Sequence, residues 1–189
     1  HHWNIHGSPK GYSIIYQMLA QNYPEISAPI LPEKIVTIPD IHYTGFLARS
    51  SYYLLSEKFE IAKLNLPDYK VFVDGQEVNN DKQADDLRGD FDRTPYFYYY
   101  IDYYGADAGL VEYDFENGSS RNLMIIGSSY ANPLEPMLAY HYHHTYSVDL
   151  RHYEDFSFLQ SSLIYRTSEF CFRQEYPLLQ PLLRCRLFP

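Results

Sequence analysis

Three small residues, Gly127-Ser128-Ser129, follow the apolar run Leu123-Met124-Ile125-Ile126 and stand just before a stretch with helix-starting signals. Glycine permits a tight turn at a strand tip, and the unpaired N–H groups of a following helix start point toward that tip. A serine there can be a nucleophile, with an oxyanion hole made partly by its own N–H. The same tripeptide is also an ordinary loop sequence. A serine hydroxyl needs a base, usually His, and the His usually needs a carboxylate to fix its tautomer. Eight His are available. His141, His143 and His144 cluster, with His141 and His144 three apart. No carboxylate arrangement of metal-ligand spacing accompanies them, so a solvated helix end is the expectation and no metal is expected. His6, His42 and His152 lie near turns or after a strand, and spacing does not choose among them.

Elements must hold these residues in place. Ser8-Pro9 reads as a helix start with a Ser cap, and Tyr12, Ile15, Tyr16 and Leu19 fall on one helical face. This helix is predicted to end near Asn22, before Pro24. Four prolines across 24–40 predict an extended connection. Residues 41–66 show no clear period. Asp74-Gly75 between Tyr69–Val73 and Gln76–Val78 predicts a β-hairpin with a type I′ turn. Residues 79–93 read as a solvated loop, Tyr96–Tyr104 as an aromatic strand and Gly109–Phe115 as another. Asn117-Gly118 marks a turn into the strand Asn122–Ile126. Asn132 and Glu135 then stand at capping-box spacing, with Pro133 in the first turn and Leu134, Met137 and Leu138 as the apolar face of about ten helical residues. Pro136 delays the regular helix slightly. The strand Thr145–Val148 follows and stops at Asp149. Strand, helix and strand make a βαβ unit, which implies a parallel sheet. The stretch from Ser157 carries four Arg against two Glu and is broken by Pro177 and Pro181.

Composition bounds the answer. The 189 residues suffice for one domain with a sizeable core. A formal charge of −9 argues against a footprint for duplex nucleic acid, which needs clustered Lys and Arg. No run of about 18 apolar residues predicts a transmembrane helix. Tyr occurs 21 times, an excess suited to half-wet strands and surfaces. Cys171 and Cys185 form no recognisable zinc or disulfide framework. The chain begins on His1-His2-Trp3, as if cut from a longer polypeptide, and the first part of the domain is expected to be missing.

Two blocks carry a resemblance. His1-His2-Trp3, then Gly7 and Tyr12, resembles the Asp-His-His-Trp block of the DHHW family. Ile125-Ile126-Gly127-Ser128-Ser129-Tyr130-Ala131-Asn132, then Pro136 and Val148-Asp149-Leu150-Arg151-His152-Tyr153, resembles that family's Asp-Ser-Tyr-Ala-Asn … Asp-Leu-Arg-Tyr-Tyr block. The same order marks the alginate O-acetyltransferase-like branch of the SGNH hydrolase superfamily. The resemblance covers roughly residues 1–23 and 98–156. It implies an SGNH-like, flavodoxin-like α/β fold: a parallel sheet flanked by helices, here with an inserted β-hairpin region. The expected division is an SGNH-like domain over 1–158 and a separate C-terminal segment over 159–189.

The resemblance also implies an extracellular or cell-envelope protein, membrane-tethered in its full-length form, that transfers or removes O-acetyl groups on a surface polysaccharide. The acetyl donor would come from a membrane-bound partner, and no cofactor is implied. Carried over, Ser129 is the nucleophile, His2 its base, and Trp3 a packing anchor and substrate-binding candidate. The triad Asp would stand just before His1. Gly127, Ser128, Asn132, Gly105 and Asp107 are the oxyanion or turn candidates, and Tyr130, Arg151 and Tyr153 further substrate-binding candidates. Departures matter: Ser128 replaces the family's Asp, and Asp107 stands where a Gly-Gly-Asn stretch would offer an amide. These departures favour the alternative, a non-catalytic carbohydrate-binding or scaffold module of the same architecture. A structural surface protein using a Tyr-rich face is a third reading.

Overall fold

The computed structural model describes residues 2–43, 45, 48, 50–52, 54–79, 103–154 and 169–172. The chain divides into two compact units, one of residues 1–65 with 81–106 and one of residues 66–80 with 107–189.

The first unit holds helix α1 (Ser8–Asn22) and the antiparallel strands β1 (Lys34–Tyr43) and β2 (Glu57–Lys63). Pro9 sits in the first turn of α1, where its missing N–H costs nothing. The cap is Gly7, not the expected Ser8, which is the first helical residue and buried. The reason lies upstream: Asn4 Oδ1 accepts from the His6 and Gly7 N–H groups, so the chain has already turned before Ser8. Tyr12 and Leu19 are buried, as the helical spacing predicts. The proline-spaced connection runs only to Glu33, because β1 begins at Lys34 and includes Pro39. Proline has no N–H for a ladder, and the β1–β2 register shifts between Thr37 and His42. Tyr103 and Tyr104 are helical rather than on a strand; the Tyr103 hydroxyl donates to the Ala62 carbonyl at 3.2 Å and its ring meets Phe59 edge-on. The remainder of the predicted aromatic strand (96–102), most of the predicted polar loop (80–93) and residues 173–189 lie outside the described residues.

The second unit is built on a six-stranded sheet ordered β4-β3-β5-β7-β6-β8. Its strands are β3 (Tyr69–Val73), β4 (Gln76–Val78), β5 (Leu110–Phe115), β6 (Asn122–Ile126), β7 (His144–Val148) and β8 (Glu169–Phe172). The β3–β4 hairpin forms as predicted, with Asp74 and Gly75 at φ 47° and 80°. The sheet is mixed, which corrects the expected parallel sheet. β5 runs antiparallel to both β3 and β7, whereas β6 runs parallel to β7 and β8. A parallel pair needs a crossover, and only residues 127–143 supply one between β6 and β7.

Helix α2 (Glu135–Ala139) lies in that crossover. It has five residues rather than about ten, and Leu134 takes the cap position without a side-chain hydrogen bond. The Asn132–Glu135 capping box does not form, because Pro136 fixes a later start and the Glu135 carboxyl is held by the sheet. Ala139 of α2 packs with Val71, Tyr113 and Phe115 on one face of the sheet. Met124, Tyr146 and Val148 form a second cluster with Leu110, Ile126 and Tyr153. His141 is 5% exposed, so this part of the His cluster is core and not a solvated helix end. Burial lowers its pKa to about 4.

Candidate active site

Gly127 makes the last rung of the β6–β7 pair, its N–H donating to the Val148 carbonyl at 3.0 Å. The chain then leaves the sheet in a turn closed by the Ala131 N–H on the Ser128 carbonyl at 2.7 Å. Side-chain room decides the residue at its start: a Cβ on Gly127 would lie 3.1 Å from the Ala131 Cβ. Ser129 and Tyr130 are the two central residues of this turn and are half-buried. Ser128 stands before them with a buried Oγ that has no hydrogen-bond partner among the described residues. Asn132 lies in the following turn, half-buried, at no helix cap.

A charged cluster gathers at the C-terminal end of the neighbouring strand β7. Asp149 is 9% exposed and accepts from the Arg151 backbone N–H at 2.9 Å, the Arg151 Nε at 3.0 Å and the Arg151 Nη2. Burial would raise the Asp149 carboxyl, but hydrogen bonds and charge from Arg151, with a smaller contribution from His152, hold it below its ordinary value. Asp107, just before β5, reaches Arg151 Nη2 and His152 Nε2 at 3.6 Å each. Its carboxylate therefore faces the Arg151 guanidinium and the His152 ring. The Asp149 N–H donates to the Gly109 carbonyl at 3.1 Å, which ties this cluster to the start of β5. A Cβ at Gly109 would meet the His152 carbonyl oxygen at 2.9 Å, so only glycine fits without a shift.

Behind the serine turn lies a buried carboxyl. Glu135 is 4% exposed; its Oε2 accepts from the Tyr113 hydroxyl at 2.8 Å and its Oε1 from the Ser147 hydroxyl. Burial raises its pKa, the two hydroxyl donors oppose that rise, and the charge of Asp149 adds to it.

The predicted residues thus fall into three places. Gly127, Ser128, Ser129, Tyr130 and Asn132 share one turn segment of the second unit. Asp107 and Arg151 join in the charged cluster, and Tyr153 packs on Met124, Tyr146 and Val148. His2, Trp3 and Gly105 belong to the first unit, Gly105 at φ 90°. Gly7 makes room for the Trp3 ring, since a Cβ there would lie 3.0 Å from Cε3. Asp149 and Glu135 are two further carboxyls near these segments that are not among the sequence-predicted site residues. Asp149 had a signal, an Asp at a strand end two residues before an Arg; Glu135 had a fainter one, a lone charge inside Pro-Leu-Glu-Pro-Met-Leu. Among the described residues no group of three or more His, Cys, Asp or Glu is placed to hold a metal ion. No described helix is long and apolar enough to cross a membrane.

These features define an α/β protein whose parallel strands end at a serine turn and a charged cluster. Among solved structures the chain is similar to a DHHW family protein from Eubacterium siraeum, with TM-score 0.59 and 20% identity over 88% of this chain and 55% of that one. It is likewise similar to Bacillus cereus PatB1 carrying a sulfonyl adduct, at TM-score 0.58 and 20% identity over 88% of this chain and 57% of that one. A second PatB1 structure gives 0.57 and 21%, over 88% and 58%. The likeness is one of fold, and the chain spans somewhat more than half the length of these proteins. No protein-family profile and no curated protein sequence matches it.

Proposed function

We propose that the chain carries a serine-dependent site of the SGNH type that transfers or hydrolyses O-acetyl groups on a cell-surface polysaccharide, outside the cell or in its envelope. The observation that carries this reading is the placement of Ser129 in a tight turn at the end of the parallel strand β6, between sheet and helix. The fold shared with a DHHW protein supports it, as does a sulfonyl adduct on PatB1, since sulfonyl electrophiles are captured by activated nucleophiles.

In this reading His2 takes the proton from Ser129 Oγ as that oxygen attacks the acetyl carbonyl carbon. The donor's oxygen leaves with the proton, and acetyl-Ser129 remains. A sugar hydroxyl or water then attacks the acyl group and restores the serine. Arg151 offsets the Asp107 carboxylate, whose charge would otherwise oppose a developing oxyanion. A membrane-bound partner supplies the acetyl group, and Tyr130 and Tyr153 offer ring faces to sugar.

The non-catalytic reading, a carbohydrate-binding module, draws on Ser128 and Asp107 in place of the family's Asp and amide. Turnover of an acetyl-ester reporter by the full-length protein separates the two. The enzymatic reading expects loss of turnover in Ser129→Ala. Equal turnover in both proteins sinks it, and polysaccharide binding that survives without any turnover favours the module.

A further inference from the structure

We propose that Glu135 is the positioning residue of the serine turn: its buried carboxyl fastens the end of that turn to the two central strands β5 and β7. The proposal rests on the reading of Ser129 as the nucleophile. Glu135 stands six residues after Ser129, where turn becomes helix, and no side-chain cap holds α2 at that point. The anchor comes from the sheet instead. Tyr113 donates from β5 and Ser147 from β7, one hydroxyl to each carboxyl oxygen. Val148, the residue after Ser147, accepts the Gly127 N–H at the other end of the turn. The segment 127–135 is therefore pinned to β7 at both ends, by backbone at Gly127 and by side chain at Glu135. A helix of five residues has little stability of its own, so these pins set where Ser129 stands.

Chemistry makes the anchor sensitive to protonation. The titratable groups acting on Glu135 are Tyr113 from β5 and Asp149 at the end of β7. Burial first, then the Glu135 charge, raises the Tyr113 hydroxyl well above its usual range, so it remains a donor. Ionised Glu135 accepts from both hydroxyls. Protonated, it becomes a donor on one oxygen, and one hydroxyl bond must reverse or break.

The test compares the full-length wild type with Glu135→Gln and Tyr113→Phe. Two quantities are read from pH 5 to 9: amide hydrogen exchange over 128–135, and the rate at which phenylmethanesulfonyl fluoride labels Ser129, located by peptide mass spectrometry. In that labelling the serine oxygen bonds to sulfur, fluoride leaves, and the hydroxyl proton passes to the base. Both variants are expected to speed exchange over 128–135 about tenfold while the β3–β4 hairpin is unchanged. Ser129 labelling is expected to slow about tenfold or more. The wild-type pH profile should contain a step that Glu135→Gln removes and Tyr113→Phe moves upward, because the Tyr113 hydroxyl holds the Glu135 pKa down; a purely structural anchor would leave the profile in place. Exchange and profile equal to wild type in both variants overturn the proposal. Should Glu135→Gln fail to fold, Tyr113→Phe alone decides by the same criteria. Wild-type labelling that avoids Ser129 while exchange still responds to Tyr113→Phe overturns the nucleophile reading and leaves the anchor standing.

Discussion

One sheet of this protein has two halves that end differently. In the antiparallel half, β3 turns straight into β4 through Asp74-Gly75, and two residues at positive φ close the connection. The Asp74 carboxylate and N–H are satisfied at once by Leu110, at 2.9 and 2.8 Å. Such an end is closed by its own backbone and by the Asp74–Leu110 pair. In the parallel half, β6 cannot turn back onto β7 and must leave the sheet through a crossover. That requirement puts a serine turn, a short helix start and the Asp149–Arg151–Asp107–His152 cluster at the ends of neighbouring strands. Strand direction thus separates a closed hairpin end from the strand end where the reactive serine is proposed.

Substitutions can break this contrast. Ser129→Ala should reduce acetyl-ester turnover the most, by roughly 10⁴-fold, measured as kcat/KM on the reporter. His2→Ala should cost about 10²- to 10³-fold in the same assay, with the loss in kcat, as expected of a general base. Gly127→Ala and Gly75→Ala form the direct comparison between halves. Each should destabilise by about 1 kcal/mol, the first through crowding against Ala131 and the second through a positive φ that L residues resist. Only Gly127→Ala should also lower turnover; equal turnover losses in the two would erase the distinction drawn between the halves.

A smaller effect follows from pH. His141 is held neutral by burial, with its pKa lowered from 6.5 to about 4. Between those values the unfolded chain binds a proton that the folded chain does not. The stability contribution is therefore fully present above pH 6.5 and is lost as pH falls toward about 4. Denaturation midpoints across that window should show this slope in the wild type and a shallower one in His141→Phe.

Much of the second unit was legible in the residues themselves. Asp74-Gly75, the run Asn122–Ile126 and the run from Thr145 to Val148 carry local turn and burial signals, and each element lies within a residue of its expected bounds. The sheet's mixed direction was not legible, because β5 gains its antiparallel partner β7 across α2 and β6, far along the chain. Glu135 misled for a related reason. Its spacing from Asn132 fits a capping box, but two distant hydroxyls compete for the carboxyl and win. Asn4 did the same to Ser8 by turning the chain first. The turn that holds Ser129 was legible since it depends on neighbours in sequence; the partners of Glu135 and Asp107 depend on neighbours in space.

The most direct test is peptide mass spectrometry of the full-length protein quenched during turnover of an acetyl ester. An acetyl group is expected on Ser129, formed at a rate that keeps pace with turnover and absent from Ser129→Ala. Turnover that proceeds with Ser129 unmodified, and unchanged in Ser129→Ala, would contradict it.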